Sequence, residues 1–249
     1  MTILLEKQSV DKVNIVCLRW GTEPYTLDYV TNLYYGLVKH TSMQFIFHVF
    51  TDRPDDFVDY PEWVVHTLPD WHLPSEKAWW YKMELFNPVH NLGDRTLYID
   101  LDVVITGDVA SMLTYQSRKF VICQDFNRVY HPDYNSPNSS VMAWSGNVGI
   151  YEHFIQHRPS IVSRLRGDQD YIREVVPSMQ FWPHDWVMSY RWEIWRGGHI
   201  SLENRTYRYT EDRSFIPPDC KIISFHGRPN PHEIQDTDPN LFNQWSQKS

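Results

Sequence analysis

Short apolar runs rich in β-branched and aromatic residues recur through the first half of this chain, with helix-patterned segments between them, and this alternation constrains the fold more than any other feature. Val13–Leu18, Phe45–Phe50, Trp63–Leu68 and Thr96–Ile99 each have the length and composition of a buried strand. Between the first two, Tyr25 to His40 repeats Leu27, Val30, Leu33, Leu37 and Val38 near helical spacing. Glu76 to Phe86 also reads as a helix, closed by Asn87-Pro88. Such alternation predicts an α/β fold: a mostly parallel central sheet flanked by helices. Ligands of such sheets bind at the carboxyl ends of the strands. The turn after Leu18 (Arg19-Trp20-Gly21-Thr22-Glu23-Pro24) and the residues after Ile99 therefore belong to one edge.

The second half is less regular. Val121–Cys123 reads as a strand, and Gln124 to Ser140 as a long polar loop with the character of a lid. Val141–Trp144 and Val148–Tyr151 read as short strands around Ser145-Gly146-Asn147. Ser160–Val176 reads as a helix interrupted at Gly167, and Lys221–Phe225 as a late strand. From about Gln235 the chain is polar, which predicts a surface segment or a frayed end.

Composition narrows the function classes. A formal charge of −8 is the wrong sign for a general nucleic-acid binder. No apolar run approaches the ~20 residues that cross a bilayer. Met1 to Asp11 lacks the basic region and cleavage site of a secretory signal. Cys17, Cys123 and Cys220 are too scattered for a disulfide frame or a zinc site. The expectation is a cytoplasmic protein, with peripheral association at a membrane surface still compatible. Eleven Trp and fifteen Tyr are more than a core of this size requires, and aromatic faces pack well against the C–H faces of sugars.

Asp100 and Asp102 follow the fourth apolar run directly, in Tyr98-Ile99-Asp100-Leu101-Asp102. Two carboxylates two residues apart at the end of a buried strand are costly unless neutralised. A hard divalent cation neutralises them and retains coordination positions for substrate phosphate.

This segment, followed by Gly107-Asp108, resembles the Asp-x-Asp region of the GT-A fold glycosyltransferases, especially family-8-like enzymes. Trp80-Tyr81-Lys82-Met83, Asn138-Ser139-Ser140-Val141-Met142, Gly167-Asp168-Gln169-Asp170 and Phe225-His226-Gly227-Arg228-Pro229 resemble other segments of that family, in the same order. The resemblance implies a GT-A (Rossmann-like) domain over 1–249, with about 12–110 as the nucleotide-binding half and about 111–235 as the donor-sugar and acceptor half. It implies metal-dependent transfer of a sugar from a nucleotide-diphosphate sugar to a saccharide or other hydroxyl acceptor, in polysaccharide or glycoconjugate synthesis; it favours retention, while Asp168, Asp170 or Asp185 could serve as a base for inversion. The cofactor implied is Mn²⁺ or Mg²⁺ and the donor preferred is a UDP-sugar.

Residue by residue, the resemblance makes Asp100, Asp102 and His226 the metal ligands, with Asp100 and Leu101 also at the nucleotide. Lys82 and Asn138 serve the donor, and Asp168 and Gln169 are the catalytic candidates. Arg19, Thr22 and Tyr25 of the first turn meet the nucleotide. The chain departs from the family pattern in three places. Ser224 stands where a His is usual, Asn230 replaces a phosphate-binding Lys with Arg191 or Arg228 as substitutes, and the first turn lacks the acidic contact to uracil. Two alternatives stand beside this reading. Asp100-Leu101-Asp102-Val103-Val104 also fits a haloacid-dehalogenase-type phosphohydrolase with Asp100 as nucleophile, and the departures fit a non-catalytic sugar-nucleotide-binding relative.

Overall fold

The computed structural model describes residues 13–93, 95–131, 133–195, 198–201, 206–209 and 216–246. Its strands are β1 (Val13–Arg19), β2 (Phe45–Thr51), β3 (Val64–Thr67), β4 (Thr96–Ile99), β5 (Val103–Ile105), β6 (Val121–Gln124), β7 (Pro137–Trp144), β8 (Gln180–Phe181), β9 (Val187–Ser189), β10 (Gly198–Ser201), β11 (Thr206–Tyr209) and β12 (Ile222–Ser224). Helices α1 (Leu27–His40), α2 (Ala110–Thr114), α3 (Ile150–Arg164), α4 (Asp168–Val175) and α5 (Pro239–Trp245) accompany them.

Seven strands form the central sheet in the order β3-β2-β1-β4-β7-β6-β8. The β3-β2-β1-β4 half is parallel throughout, β7 runs antiparallel to both β4 and β6, and β8 is parallel to β6. β1 is apolar from Ile15 to Leu18 because it sits between β2 and β4 with both faces covered, and Ile15, Val16 and Cys17 are fully buried. A second sheet, β5-β12-β9, lies beyond the end of β4.

This topology assembles one edge from distant segments. The antiparallel pairing of β4 with β7 sets the start of β7 beside the end of β4, and Asp100 N–H donates to Ser140 O at 2.8 Å. The end of β6 comes to the same edge for the same reason. β5 begins one residue after Asp102 and pairs with β12, so Phe225 N–H donates to Asp102 O at 2.8 Å.

The strands predicted in the first half are all present. Val148–Tyr151, expected as a strand, instead enters α3: Gly149 takes a left-handed φ of 72°, and Ile150, Phe154 and Ile161 bury one helical face. Pro159 lies within that helix, which is why the pattern before Ser160 does not read as helical. Ser75–Phe86 is a 3-10 segment with a kink at Lys77. The expected loop from Gln124 to Ser140 holds a 3-10 turn over Phe126–Val129, and its end is the start of β7. Within the expected surface or frayed segment after Gln235, α5 packs on α1 and β5, with Trp245 buried at 5.1 Å, edge-on, from Tyr29. All three cysteines are buried and free. No helix among the described residues is long and apolar enough to cross a membrane.

Candidate active site

A two-lobed cleft opens on the edge where β4 ends. One lobe, of about 510 Å³, is walled by Leu18, Trp20, Tyr25 and Trp79. The other, of about 520 Å³, is walled by Asn138, Ser139, Asp168, Gln169 and the Ser224–Gly227 segment. Trp79, Lys82, Asp100 and Asp102 border both.

Lys82 organises the floor. The 3-10 segment that carries it is anchored by Trp80, which is fully buried and stacks 5.7 Å from Phe154. Lys82 Nζ lies 2.9 Å from Asp100 Oδ1 and donates to Asp100 Oδ2 at 3.1 Å. It also reaches Ser139 Oγ at 3.2 Å, Ser139 O at 3.4 Å and Asp168 Oδ2 at 3.8 Å. Burial alone would lower the lysine pKa, but the negative charges of Asp100 and Asp168 outweigh it and hold it above the ordinary value. Asp100 Oδ1 accepts a further hydrogen bond from Tyr98 Oη at 2.5 Å. Asp168, at the first turn of α4, accepts from Ser139 Oγ at 2.6 Å, and burial raises its pKa despite the lysine.

Asp102 is the strained member. Its Oδ2 accepts from Tyr25 Oη at 3.2 Å. Burial, then the charge of Asp100, push its carboxyl from 3.8 up to about 7. A half-buried carboxylate beside a second one is the donor set a hard divalent cation suits, since the cation offsets both the desolvation cost and the repulsion.

His226 borders the second lobe but is turned to other partners. Its Nε2 lies 2.6 Å from Ser189 Oγ, its ring stacks 4.7 Å from Phe126, and burial lowers its pKa to about 4. Among the described residues, no three His, Cys, Asp or Glu side chains converge as a cation site. Beneath Ser189, Glu193 accepts from the Ser189 N–H at 2.6 Å and lies 3.5 Å from Arg128.

The cleft brings together Tyr25, Lys82, Asp100, Leu101, Asp102, Asn138, Asp168, Gln169 and His226. Four other expected contacts lie off it. Arg19 is buried under the first turn, where Nε donates to Tyr25 O at 2.9 Å and a terminal nitrogen pairs with Asp56 at 2.7 Å, so it shapes the turn. Thr22 is exposed and outside the cleft lining. Arg191 and Arg228 line an adjoining cavity of about 530 Å³ with Trp195, and Arg228 pairs with Glu233 at 2.8 Å. Residue patterns did not single out Trp20, Trp79, Asp125, Asn127, Tyr134 or Ser139, which line the lobes. Ser139 was legible as the neighbour of Asn138. Trp79 was not, because nothing in Trp79-Trp80 tells which indole is buried.

The fold recurs in solved glycosyltransferases. The galactosyltransferase LgtC, determined with donor and acceptor sugar analogues, superposes with a TM-score of 0.59 at 12% identity, over 94% of this chain and 95% of that one. The glycosyltransferase GlyE of Streptococcus pneumoniae TIGR4 gives 0.65 at 13% identity, over 96% of this chain and 61% of its own. Mouse xyloside xylosyltransferase 1 gives 0.53 at 13% identity, over 87% and 98%. The chain has the GT-A glycosyltransferase fold. No protein-family model and no curated protein sequence matches it. On the GT-A frame Asp100 ends the fourth strand of the chain, after β1, β2 and β3. A dehalogenase-type nucleophile would instead end the first strand, so the phosphohydrolase alternative loses its footing.

Proposed function

We propose that the protein transfers a sugar from a nucleotide-diphosphate sugar to a hydroxyl acceptor, with Mn²⁺ or Mg²⁺ held by Asp100 and Asp102. The observation that carries this reading is the meeting of both carboxylates with Lys82, Asn138, Asp168 and Gln169 in one cleft, at the strand ends where ligands of such sheets bind.

The lobe lined by Trp20, Tyr25 and Trp79 offers aromatic faces to a nucleoside, and the lobe lined by Asn138, Asp168 and Gln169 offers amides and a carboxylate to sugar hydroxyls. A UDP-sugar is the first donor to test. The cation supplies charge compensation to the leaving diphosphate. Tyr25 orients Asp102 through its hydroxyl, and Ser139 orients Asp168. Gln169, at the second position of α4, lies on the sugar lobe and carries no charge, so it suits hydrogen bonding at the reacting carbon more than proton abstraction. Retention of configuration is the expected outcome. Arg191 and Arg228 border Gly227 from the adjoining cavity, outside the two lobes, and are the secondary candidates for the diphosphate. His226 would complete the cation's ligands only by exchanging Ser189 for it.

The test is release of nucleoside diphosphate from a panel of UDP- and GDP-sugars with and without Mn²⁺, and the anomeric configuration of the product by NMR. Metal-dependent turnover of at least one donor supports the reading. Tight nucleotide binding without turnover on any donor or acceptor would favour the non-catalytic alternative, which the Asn230 and Ser224 departures motivate.

A further inference from the structure

The mechanism needs Asp100 as a cation ligand, yet both oxygens of Asp100 are already engaged by a cation of the chain itself. Lys82 Nζ bridges them at 2.9 and 3.1 Å, and Tyr98 Oη occupies Oδ1 as well. The ammonium is buried on the floor of the cleft. It does have alternatives within reach: Ser139 Oγ at 3.2 Å, Ser139 O at 3.4 Å and Asp168 Oδ2 at 3.8 Å. An ammonium has three hydrogens, and those three acceptors suffice for it without Asp100.

We propose that Lys82 is the resident counter-ion of Asp100 and competes with the divalent cation for it, so that cation entry moves the ammonium from Asp100 toward Ser139 and Asp168. This rests on the reading of Asp100 and Asp102 as a cation-binding pair. While the ammonium stays on Asp100 it offsets half of the charge of the pair, and an incoming cation meets a weakened field and occupied lone pairs. The protein alone therefore binds the cation weakly. A nucleoside diphosphate adds oxygen ligands and negative charge and tips the exchange, which ties cation uptake to donor binding. After the exchange the ammonium stays in the sugar lobe beside Asp168, so one lysine serves as counter-ion in the empty site and as a sugar-side donor in the filled one.

The experiment measures Mn²⁺ binding to the full chain without nucleotide, by loss of the free-Mn²⁺ electron paramagnetic resonance signal, with all forms compared in one buffer at about pH 8. Lys82→Met is expected to bind Mn²⁺ more tightly than wild type by on the order of tenfold, and Lys82→Gln in the same direction. In the wild-type chain the Cε resonance of Lys82 should shift as diamagnetic Mg²⁺ is added with UDP. Equal or weaker Mn²⁺ binding by a folded Lys82 variant overturns the competition and leaves the carboxylate pair standing. An unmoved Lys82 resonance while the cation binds overturns it as well, and does so without any variant. Absence of cation binding in every form, with UDP present, overturns both this proposal and the cation-pair reading.

Discussion

Burial and the charge of Asp100 push the Asp102 carboxyl from 3.8 up to about 7, so the folded state binds a proton there that the unfolded state releases. The sign follows from linkage: the stabilising contribution is complete below pH 3.8 and is lost as pH rises through about 7. Asp102→Asn removes the repulsion, and urea unfolding of the cation-free protein at about pH 8 should show a gain of about 1 kcal/mol or more. The same variant should lose transfer activity by at least about a hundredfold with Mn²⁺ and a turned-over donor. A variant both less stable and fully active would contradict this account on both counts. His48 behaves in the opposite sense. Its Nε2–H donates to Asn14 Oδ1 at 2.8 Å and its Nδ1 lies 3.0 Å from His66 Nε2. Burial, then His90, lower its pKa from 6.5 to about 4. The unfolded chain binds the proton more readily, so stability falls as pH drops from 6.5 through 4. Denaturant unfolding should register a loss of about 2 kcal/mol between pH 7 and pH 5 from this residue, and His48→Gln should flatten that slope.

At the scale of elements, α5 joins the C-terminal segment to the site. Trp245 packs edge-on against Tyr29, which lies 5.3 Å from Tyr25, and Tyr25 holds Asp102. Tyr29 Oη and His232 Nδ1 are 2.5 Å apart, which adds a polar contact to the same docking. Trp245→Ala should cost about 3 kcal/mol in unfolding free energy. It should also weaken nucleotide binding, measured by calorimetry, because the Tyr25 wall loses its backing. Unchanged stability would mean that α5 is a passive appendage. Sequence patterns found the strands of the parallel half because each is a short run in which apolar residues predominate. They missed α5, because Leu241 and Trp245 are its only buried residues and one helical spacing among polar neighbours is too short a pattern. They misplaced the start of α3 because Pro159 reads as a breaker, whereas the tertiary burial of Ile150 and Phe154 carries the helix through it.

For the molecule as a whole, ligand and stability are linked through the cleft. Mn²⁺ with UDP at about a hundred times its dissociation constant should raise stability by about 2.7 kcal/mol, or about 5–10 °C in Tm for a chain of this length. Mn²⁺ alone should do much less, since Lys82 holds Asp100. A shift with Mn²⁺ and UDP together that equals the sum of the shifts with each alone would argue that cation and nucleotide bind independently. The sequence by itself determined the α/β class and the parallel half of the sheet, because apolar runs and their spacing are local properties. It also determined the candidacy of Lys82, Asp100, Asp102, Asn138, Asp168 and Gln169, because their motifs are short and contiguous. Only the tertiary structure decided which candidates meet. The antiparallel return of β7 brings Asn138 and Ser139 to Asp100, and the pairing of β5 with β12 brings His226 near while Ser189 and Phe126 claim its ring. It buried Arg19 beneath its own turn and left Arg191 and Arg228 in a neighbouring cavity. A charged residue near a motif has the same sequence signature whether it faces the ligand or braces the backbone, and only packing separates the two. The carboxylate pair at the end of the fourth strand and Lys82 were therefore legible from the chain, while the contact of Lys82 with Asp100 was legible only from the fold.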